Sequence, residues 1–456
     1  MNQPKHNMRT FYTLILTQVF SLIGSKVSGL AIGIYVFNQT GDATPLALVS
    51  FFAVVPQVLA SGVSGVLADR YDRRYVMALA DAGQAAGTVL LFFSFASGDF
   101  QLWHLYGVVF IQAIFSVFQG PAFMSSVTML VPDSQRDRAN AVQQLAGPTA
   151  GIIAPVLAGT IYGAVGVTGA ILIDMLTFLV AMAVVLRVHI PRPEKTAEGA
   201  ALSGSVWKES LGGMRYLWAR RPLLGLLLHI SLLNFLMGGS GVLMTPYVLS
   251  RTGSEAMLGV LLGLMNLGAI TGGLLIGIVG GRKRTRIHII MPGVIVLGCF
   301  LVALGMSQHL IALGISIFLL LVPVSIINAT FLSLLQAKIA PDIQGRVFAV
   351  VGQLAMLLMP LSFLLVGPLA DQVFEPAVGS PGWQAVAPLV GNSTGAGIGL
   401  ILVVGGVLTT VSTLFVYAIP SIRHLEADMP DYIPAHADSD AAEDAGDTPI
   451  EAAAVI

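Results

Sequence analysis

Twelve apolar stretches, each close to the roughly 20 residues that a helix needs to cross hydrocarbon, alternate with short polar segments along almost the whole chain. They fall at about 12–37, 44–66, 75–97, 102–124, 140–165, 168–188, 223–249, 257–280, 287–306, 309–332, 347–370 and 396–419. A chain written this way is expected to be an all-α integral membrane protein. Its composition agrees: only 10% of the 456 residues are charged, against about a quarter in soluble domains. Mean hydropathy is +0.83. The one cysteine, Cys299, lies in an apolar run, so neither a disulfide framework nor a thiolate metal site is expected. No metal and no cofactor is implied, and the net charge of −1 argues against a nucleic-acid partner. The polar N-terminus leads into a span too long for a cleaved signal, so that span is expected to stay attached.

Basic residues set the expected orientation. With the N-terminus cytoplasmic, 21 of the 23 Lys and Arg lie in inside loops or ends; Arg251 falls outside and Lys26 within the first span. The expectation is a multi-pass protein of the inner (cytoplasmic) membrane with both termini cytoplasmic. The longest basic loop, 189–222, separates six spans (1–188) from six more (223–423). It includes a candidate amphipathic piece, Val206 to Leu217. Residues 424–456 form a tail with nine acids and no Lys or Arg, expected to be disordered.

The two sets of six are related. Tyr35-Val-x-x-x-Thr-Gly41 recurs as Tyr247-Val-x-x-x-Thr-Gly253, an offset of 212, and at that offset Gly65, Arg70 and Arg74 correspond to Gly277, Arg282 and Arg286. Pro132-Asp-x-Gln135 with Arg138 recurs as Pro341-Asp-x-Gln344 with Arg346. Two parallel six-helix repeats with a site between them near the midplane is a transporter plan.

Between the second and third spans stands Gly65-x-x-Ala-Asp69-Arg70-x-x-Arg73-Arg74. It resembles the loop motif of the major facilitator superfamily, and the resemblance extends over residues 9–423. One departure is Asp72, where many members have glycine. With Thr40-Gly41, Ala78-Leu-Ala-Asp81, Arg138-Ala-Asn140 and Leu172-Ile-Asp174-Met-Leu-Thr-Phe178, the chain most resembles the branch of macrolide efflux pumps and enterobactin-type siderophore exporters. The resemblance implies two pseudo-symmetric six-helix bundles.

Physically, the loop motif reads as a cytoplasmic gate. Gly65 permits close helix approach. Asp69 can accept hydrogen bonds from a helix N-terminus or an arginine across the halves. Arg70, Arg73, Arg74, Arg282 and Arg286 either take part in this gate or only fix topology. Gly281 stands at the position of Asp69 in the second copy, so the two copies are not equivalent. In the fifth span, Gly151-x-x-x-Ala154-Pro155-x-x-Ala158-Gly159 resembles the glycine-proline motif of drug/proton antiporters, with alanine for two glycines. Tight helix packing alone is the competing reading.

Ionisable groups inside a span are costly and ordinarily face a cavity or a partner. Lys26, Asp81 and Asp174 are therefore the candidates for proton or substrate coupling. Lys26 flanks a polar face of the first span that includes Gln18; the alternative is a permanent pair with Asp174 or Asp81. Asp81 lies near the gate, and Asp174 has a structural, hydrogen-bonded carboxyl as its alternative. Glu255 begins the eighth span, where it would cap it, and His229 is placed near an interface. In the fourth span, Ser116 occupies the position where many proton-coupled relatives carry arginine. Candidates for the cavity wall are Gln18, Gln112, Gln119, Gln144, Asn234, Asn266, Asn328 and Gln353. Met237, Met265, Met356 and Met359 would supply adaptable apolar lining.

No phosphate-binding loop of the Gly-x-x-x-x-Gly-Lys-Ser/Thr type occurs, and no catalytic residue set is evident. The expectation is a monomeric secondary transporter that exports small amphipathic molecules, drugs or siderophore-like compounds, by proton antiport. A lipid or lysophospholipid transporter on the same scaffold and a non-transporting receptor are the rivals.

Overall fold

Hydrocarbon offers the backbone no hydrogen-bond partners, so each apolar stretch satisfies its own N–H and C=O groups as a helix. The computed structural model describes residues 8–70, 73–132, 135–187, 214–279, 285–339 and 341–429. The helices are α1 (Met8–Thr40), α2 (Thr44–Arg70), α3 (Arg73–Ala96) and α4 (Leu102–Leu130). A continuous helix, Arg136–Arg187, is broken at Gly166 (φ 68°); its arms, 136–165 and 167–187, are α5 and α6. There follow α7 (Arg221–Thr252), α8 (Glu255–Val279), α9 (Ile287–Gly305) and α10 (Leu310–Lys338). The next span, α11, joins Pro341–Met356 to Met359–Pro368 and ends in the π-helical turn Leu369–Phe374. The last, α12, is Ala396–Ala418. With Arg136–Arg187 divided at Gly166, the twelve expected spans are all present, in two sets of six.

The repeat has a structural meaning. Gly41 and Gly253 both have positive φ (73° and 62°), and each donates its N–H to the carbonyl four residues back, Phe37 or Leu249, at 2.8 Å. Thr40 and Thr252 donate their hydroxyls to Val36 (2.8 Å) and Val248 (2.7 Å). Tyr-Val-x-x-x-Thr-Gly is thus a left-handed C-cap, built twice, ending α1 and α7 on the same face. That face, which also carries the turn after α11, is called here the far face. The opposite, terminal face carries the ends at Met8 and Arg423.

Apolar side chains cover the outside of the bundle, among them Ile278 (81% exposed), Ile311 and Phe415, as lipid contact requires. On the far face Arg251, the one basic residue against the orientation rule, has a packing role. Its guanidinium donates to Val390 O and Ser393 Oγ, both at 2.7 Å, and lies over the Tyr247 ring. It pins the segment before α12.

Two expectations need correction. Residues 424–429 are not a loose tail. Leu425 is buried, Glu426 accepts from the Ile287 N–H at the start of α9 (3.0 Å), and Lys338 Nζ donates to Glu426 O (3.0 Å) and to Met429 O. His229 is not interfacial. It is 5% exposed, and its Nε2 lies 3.2 Å from Thr413 Oγ1 on α12. Residues 430–456 and most of the 189–222 linker lie outside the described residues.

Candidate functional site: a cavity between the two halves

On the far face the halves are joined by a small set of directed contacts. Asp371, at the end of α11, accepts from Ala43 N–H (2.8 Å), Thr44 N–H (2.7 Å) and Thr44 Oγ1–H (2.5 Å), capping the first turn of α2. Gly367, one turn earlier, allows the approach: a Cβ there would stand 2.6 Å from Thr44 Cα. Asn38 of α1 donates to Glu255 Oε1 of α8 at 3.1 Å. Glu255 therefore acts across the halves and does more than end a helix. Close to it, α5 and α8 cross through facing glycines. A Cβ on Gly159 would stand 2.5 Å from the Glu255 carbonyl oxygen, and Gly259 packs on the carbonyl of Pro155. The helix 5 motif, Gly151, Pro155 and Gly159, is an inter-half seam.

Below this seal lies a cavity of about 490 Å³ lined by α1 (Gly29, Leu30, Gly33), α2 (Leu46, Ser50), α7 (Asn234, Met237, Thr245) and α11 (Met359, Phe363). It shares Asn234, Met237, Gly241 and Thr245 with a second cavity of about 480 Å³ inside the second half. That one is walled mostly by leucines, isoleucines, valines, Met244, Met265, Met291 and Phe331, with His229, Asn234, Ser240, Thr245 and Asn328 as its polar points. A third space, about 460 Å³, lies between α2, α4 and α11 and presents Gln57, Ser116 and Gln353. Asn234, Asn328 and Gln353 are thus on cavity walls.

Other expected wall residues are not. Asn266 packs against Gly151 at the α5–α8 crossing and bonds its own helix at Leu262 O (2.9 Å). Gln18, Gln112 and Gln119 belong to a polar network inside the first half. Gln119 Nε2 donates to Asp81 and, at 3.4 Å, to Gln18; Gln84 Nε2 donates to Gln119 (2.9 Å). Gln112 Nε2 donates to Gln84 O (2.9 Å) and Thr88 Oγ1 (3.1 Å). Thr88 Oγ1 donates to Asp174 Oδ2 (3.3 Å), and Ser25 Oγ donates to Asp174 Oδ1 (3.0 Å). A polar side chain in a membrane helix can face either a cavity or its own bundle, and here packing selects the bundle.

Asp81 is 1% and Asp174 5% exposed, and neither has a cationic partner among the described residues. The sequence alternative, a permanent pair of either with Lys26, is absent. Lys26 is exposed, and no described residue bonds it. Gate residues Gly65, Asp69 and Arg70 fall in the last turns of α2, and Arg73 and Arg74 open α3. Their side chains, like those of Gln144 and Arg282, lie outside the described residues. Arg286 pairs with Glu426 at 3.4 Å within the second half.

Asp371 is not among the candidates read from the sequence. A signal was present: Gly367-Pro-Leu-Ala-Asp371 repeats the pattern of Gly65-Val-Leu-Ala-Asp69. The ends of α2 and α11 carry the same pentapeptide with one exchange.

Two repeated bundles around a shared cavity define a membrane transporter. The chain belongs to the Major Facilitator Superfamily, whose family model matches residues 14–363. It is 29% identical over 370 residues to macrolide efflux protein A of Streptococcus pyogenes, spanning 80% of this chain and 90% of that one. It is 23% identical to the multidrug efflux pump Tap of Mycobacterium tuberculosis, covering 79% and 87%. In fold it is similar to a bacterial homologue of the lysosomal transporter Spinster, in an inward-facing, unoccupied conformation (TM-score 0.74, 14% identity, 94% and 99% covered). The nucleoside transporter NupG is also similar (TM-score 0.69, 12% identity, 89% and 100% covered). These proteins are transporters, not enzymes.

Proposed function

We propose that this transporter exports amphipathic small molecules from the cytoplasm by alternating access coupled to protons. The observation that carries the reading is the cavity. It is largely apolar, partly walled by methionine, extends from the inter-half space into the second half, and is closed on the far face by Asp371 and Thr44. Adaptable apolar walls suit varied ligands, and efflux proteins stand among the sequence relatives. The distribution of Lys and Arg supports a cytoplasmic terminal face with both termini inside, and this reading sets the protein in the inner membrane. The protein acts as a monomer, since each pair of halves encloses its own site.

Asp174 is the proton-coupling group of this reading. Its carboxyl joins α6 to α1 and α3 through Ser25 and Thr88, so a change in its protonation alters how α1 is held beside the cavity. Lys26 follows Ser25 in α1 and is exposed, one turn before the cavity-lining Gly29 and Leu30, and Asp81 lies at the other end of the same network. On the terminal face, Gly65–Arg74 forms the counterpart of the Asp371 seal, engaged when the far face opens.

The test uses purified protein in liposomes with an imposed pH gradient, following internal pH as amphipathic compounds are added. Compound-dependent proton movement that Asp174→Asn abolishes is the expected result. Compound flux that ignores the gradient in both proteins would remove the antiport. Transfer of fluorescent lysophospholipid with no flux of soluble amphiphiles would replace this reading with a lipid transporter, which the apolar walls also suit.

A further inference from the structure

The spans that line the cavity are almost devoid of charge. In α2 from 44 to 66, in α4 from 102 to 130, in α7 from 222 to 250 and in α11 from 347 to 370 there is no Asp, Glu, Lys or Arg. In α1 from 10 to 40 there is one, Lys26. It stands three, four and seven residues before Gly29, Leu30 and Gly33, all of which line the cavity. Those spacings place it on the same helix face, about one turn nearer the terminal face. Its side chain is exposed and has no described partner, whereas the neighbouring Val27 and Ser28 are buried.

The two carboxyls buried within the spans of the first half do not compensate this charge at the cavity. Asp81 and Asp174 are turned into the bundle and held by amides and hydroxyls. Glu255 is committed to Asn38 at the far-face seal. A cationic ligand entering the cavity would lose its hydration, find no counter-charge and meet an ammonium. An anionic ligand loses hydration as well but gains a charge-assisted contact where the local dielectric is low.

We propose that Lys26 sets the charge class of the cargo: the site takes amphiphiles that carry one anionic group on an apolar body, accepts neutral ones less well, and rejects cationic ones. The lysine side chain reaches the anionic group near the mouth of the cavity while the apolar body occupies the space continued into the second half. This inference rests on the exporter reading and specifies its substrate.

The experiment uses three fluorescent probes with one dansyl-undecyl body, ending in a carboxylate, a primary amide or a trimethylammonium. Binding to the purified full-length protein is measured by fluorescence, and flux into liposomes is measured in parallel. The carboxylate is expected to bind at least about tenfold more tightly than the ammonium. Lys26→Gln should erase that ratio, Lys26→Arg should keep it and Lys26→Glu should invert it. Equal binding of all three, or a ratio unchanged in Lys26→Gln, would overturn the proposal. Selective binding without flux would leave the charge preference standing and defeat the exporter reading instead. Fluorescent lysophosphatidylglycerol is a fourth arm. Its binding in preference to the soluble carboxylate identifies the anionic group as a lipid headgroup, while the reverse identifies a soluble acid.

Discussion

The carboxylate of Asp371 caps the helix that begins at Thr44, taking two backbone N–H groups and the threonine hydroxyl across the boundary between the halves. Hydrogen bonds to a charged group are worth about 1.5–3 kcal/mol each, so this is a strong tie for so small a contact. Asp371→Ala should shift the population toward a far-face-open form by about tenfold or more. Spin labels at Gln39→Cys and Gln372→Cys, both exposed positions on that face, would report a longer distance. An unchanged distance distribution would show that the seal lies elsewhere.

Asp42 gives the same seal a pH dependence. Its carboxyl is raised above the ordinary value of 3.8, first by desolvation and then by the nearby Asp371 carboxylate. A group with a raised pKa in the sealed form holds its proton more tightly there than when the halves separate. Acidification therefore favours the sealed far face, and the effect fades as pH rises through the raised value. Because Asp42 is exposed, the effect is small. The same label pair, read at several acidic pH values, should show a slope that Asp42→Asn flattens; an identical slope in the variant would refute the assignment.

The glycine crossing of α5 and α8 makes opposite predictions for two glycines. Gly259 faces the Pro155 carbonyl with no room for a side chain, while Gly163 has open space around it. Gly259→Ala should destabilise by about 1–3 kcal/mol through overpacking. Gly163→Ala should stabilise slightly, by up to about 1 kcal/mol, from helix propensity. Thermal unfolding of the detergent-solubilised protein distinguishes the two, and a melting temperature unchanged in Gly259→Ala would mean that the halves do not meet there.

Arg251→Gln should free the segment before α12. The variant loses the paired contacts to Val390 O and Ser393 Oγ, a loss of about 1–3 kcal/mol locally. Limited proteolysis would then cut within 381–395 faster than in the parent. Equal cutting rates would leave Arg251 without the anchoring role.

How much of this was legible in the sequence depends on the kind of information each residue carries. Helix order follows from hydropathy because the bilayer forces every apolar stretch of that length into one conformation. The Thr-Gly repeats could be read because a left-handed cap needs glycine at a fixed place. The polar residues were harder. Gln112 and Asn234 look alike in sequence, yet one binds inside its bundle and the other borders the cavity, and only the rotation of each helix decides. Asp371 was obscured by its position next to a loop, although the Gly-x-Leu-Ala-Asp pattern shared with the end of α2 marked it. Arg251, against the charge rule, was a local requirement that no topological rule contains.

The unequal interiors of the two halves bear on how such a protein changes over generations. In the first half, amides, hydroxyls and carboxyls fix one another from Gln18 to Asp174, so altering one member disturbs its neighbours. The wall of the second half is mostly leucine, isoleucine, valine and methionine around a cavity, with few polar side chains to bind one another. There, single exchanges reshape the space and leave the rest intact. The shape of the space that takes a cargo's apolar body can therefore change by mutation in the second half while the polar network of the first stays as it is.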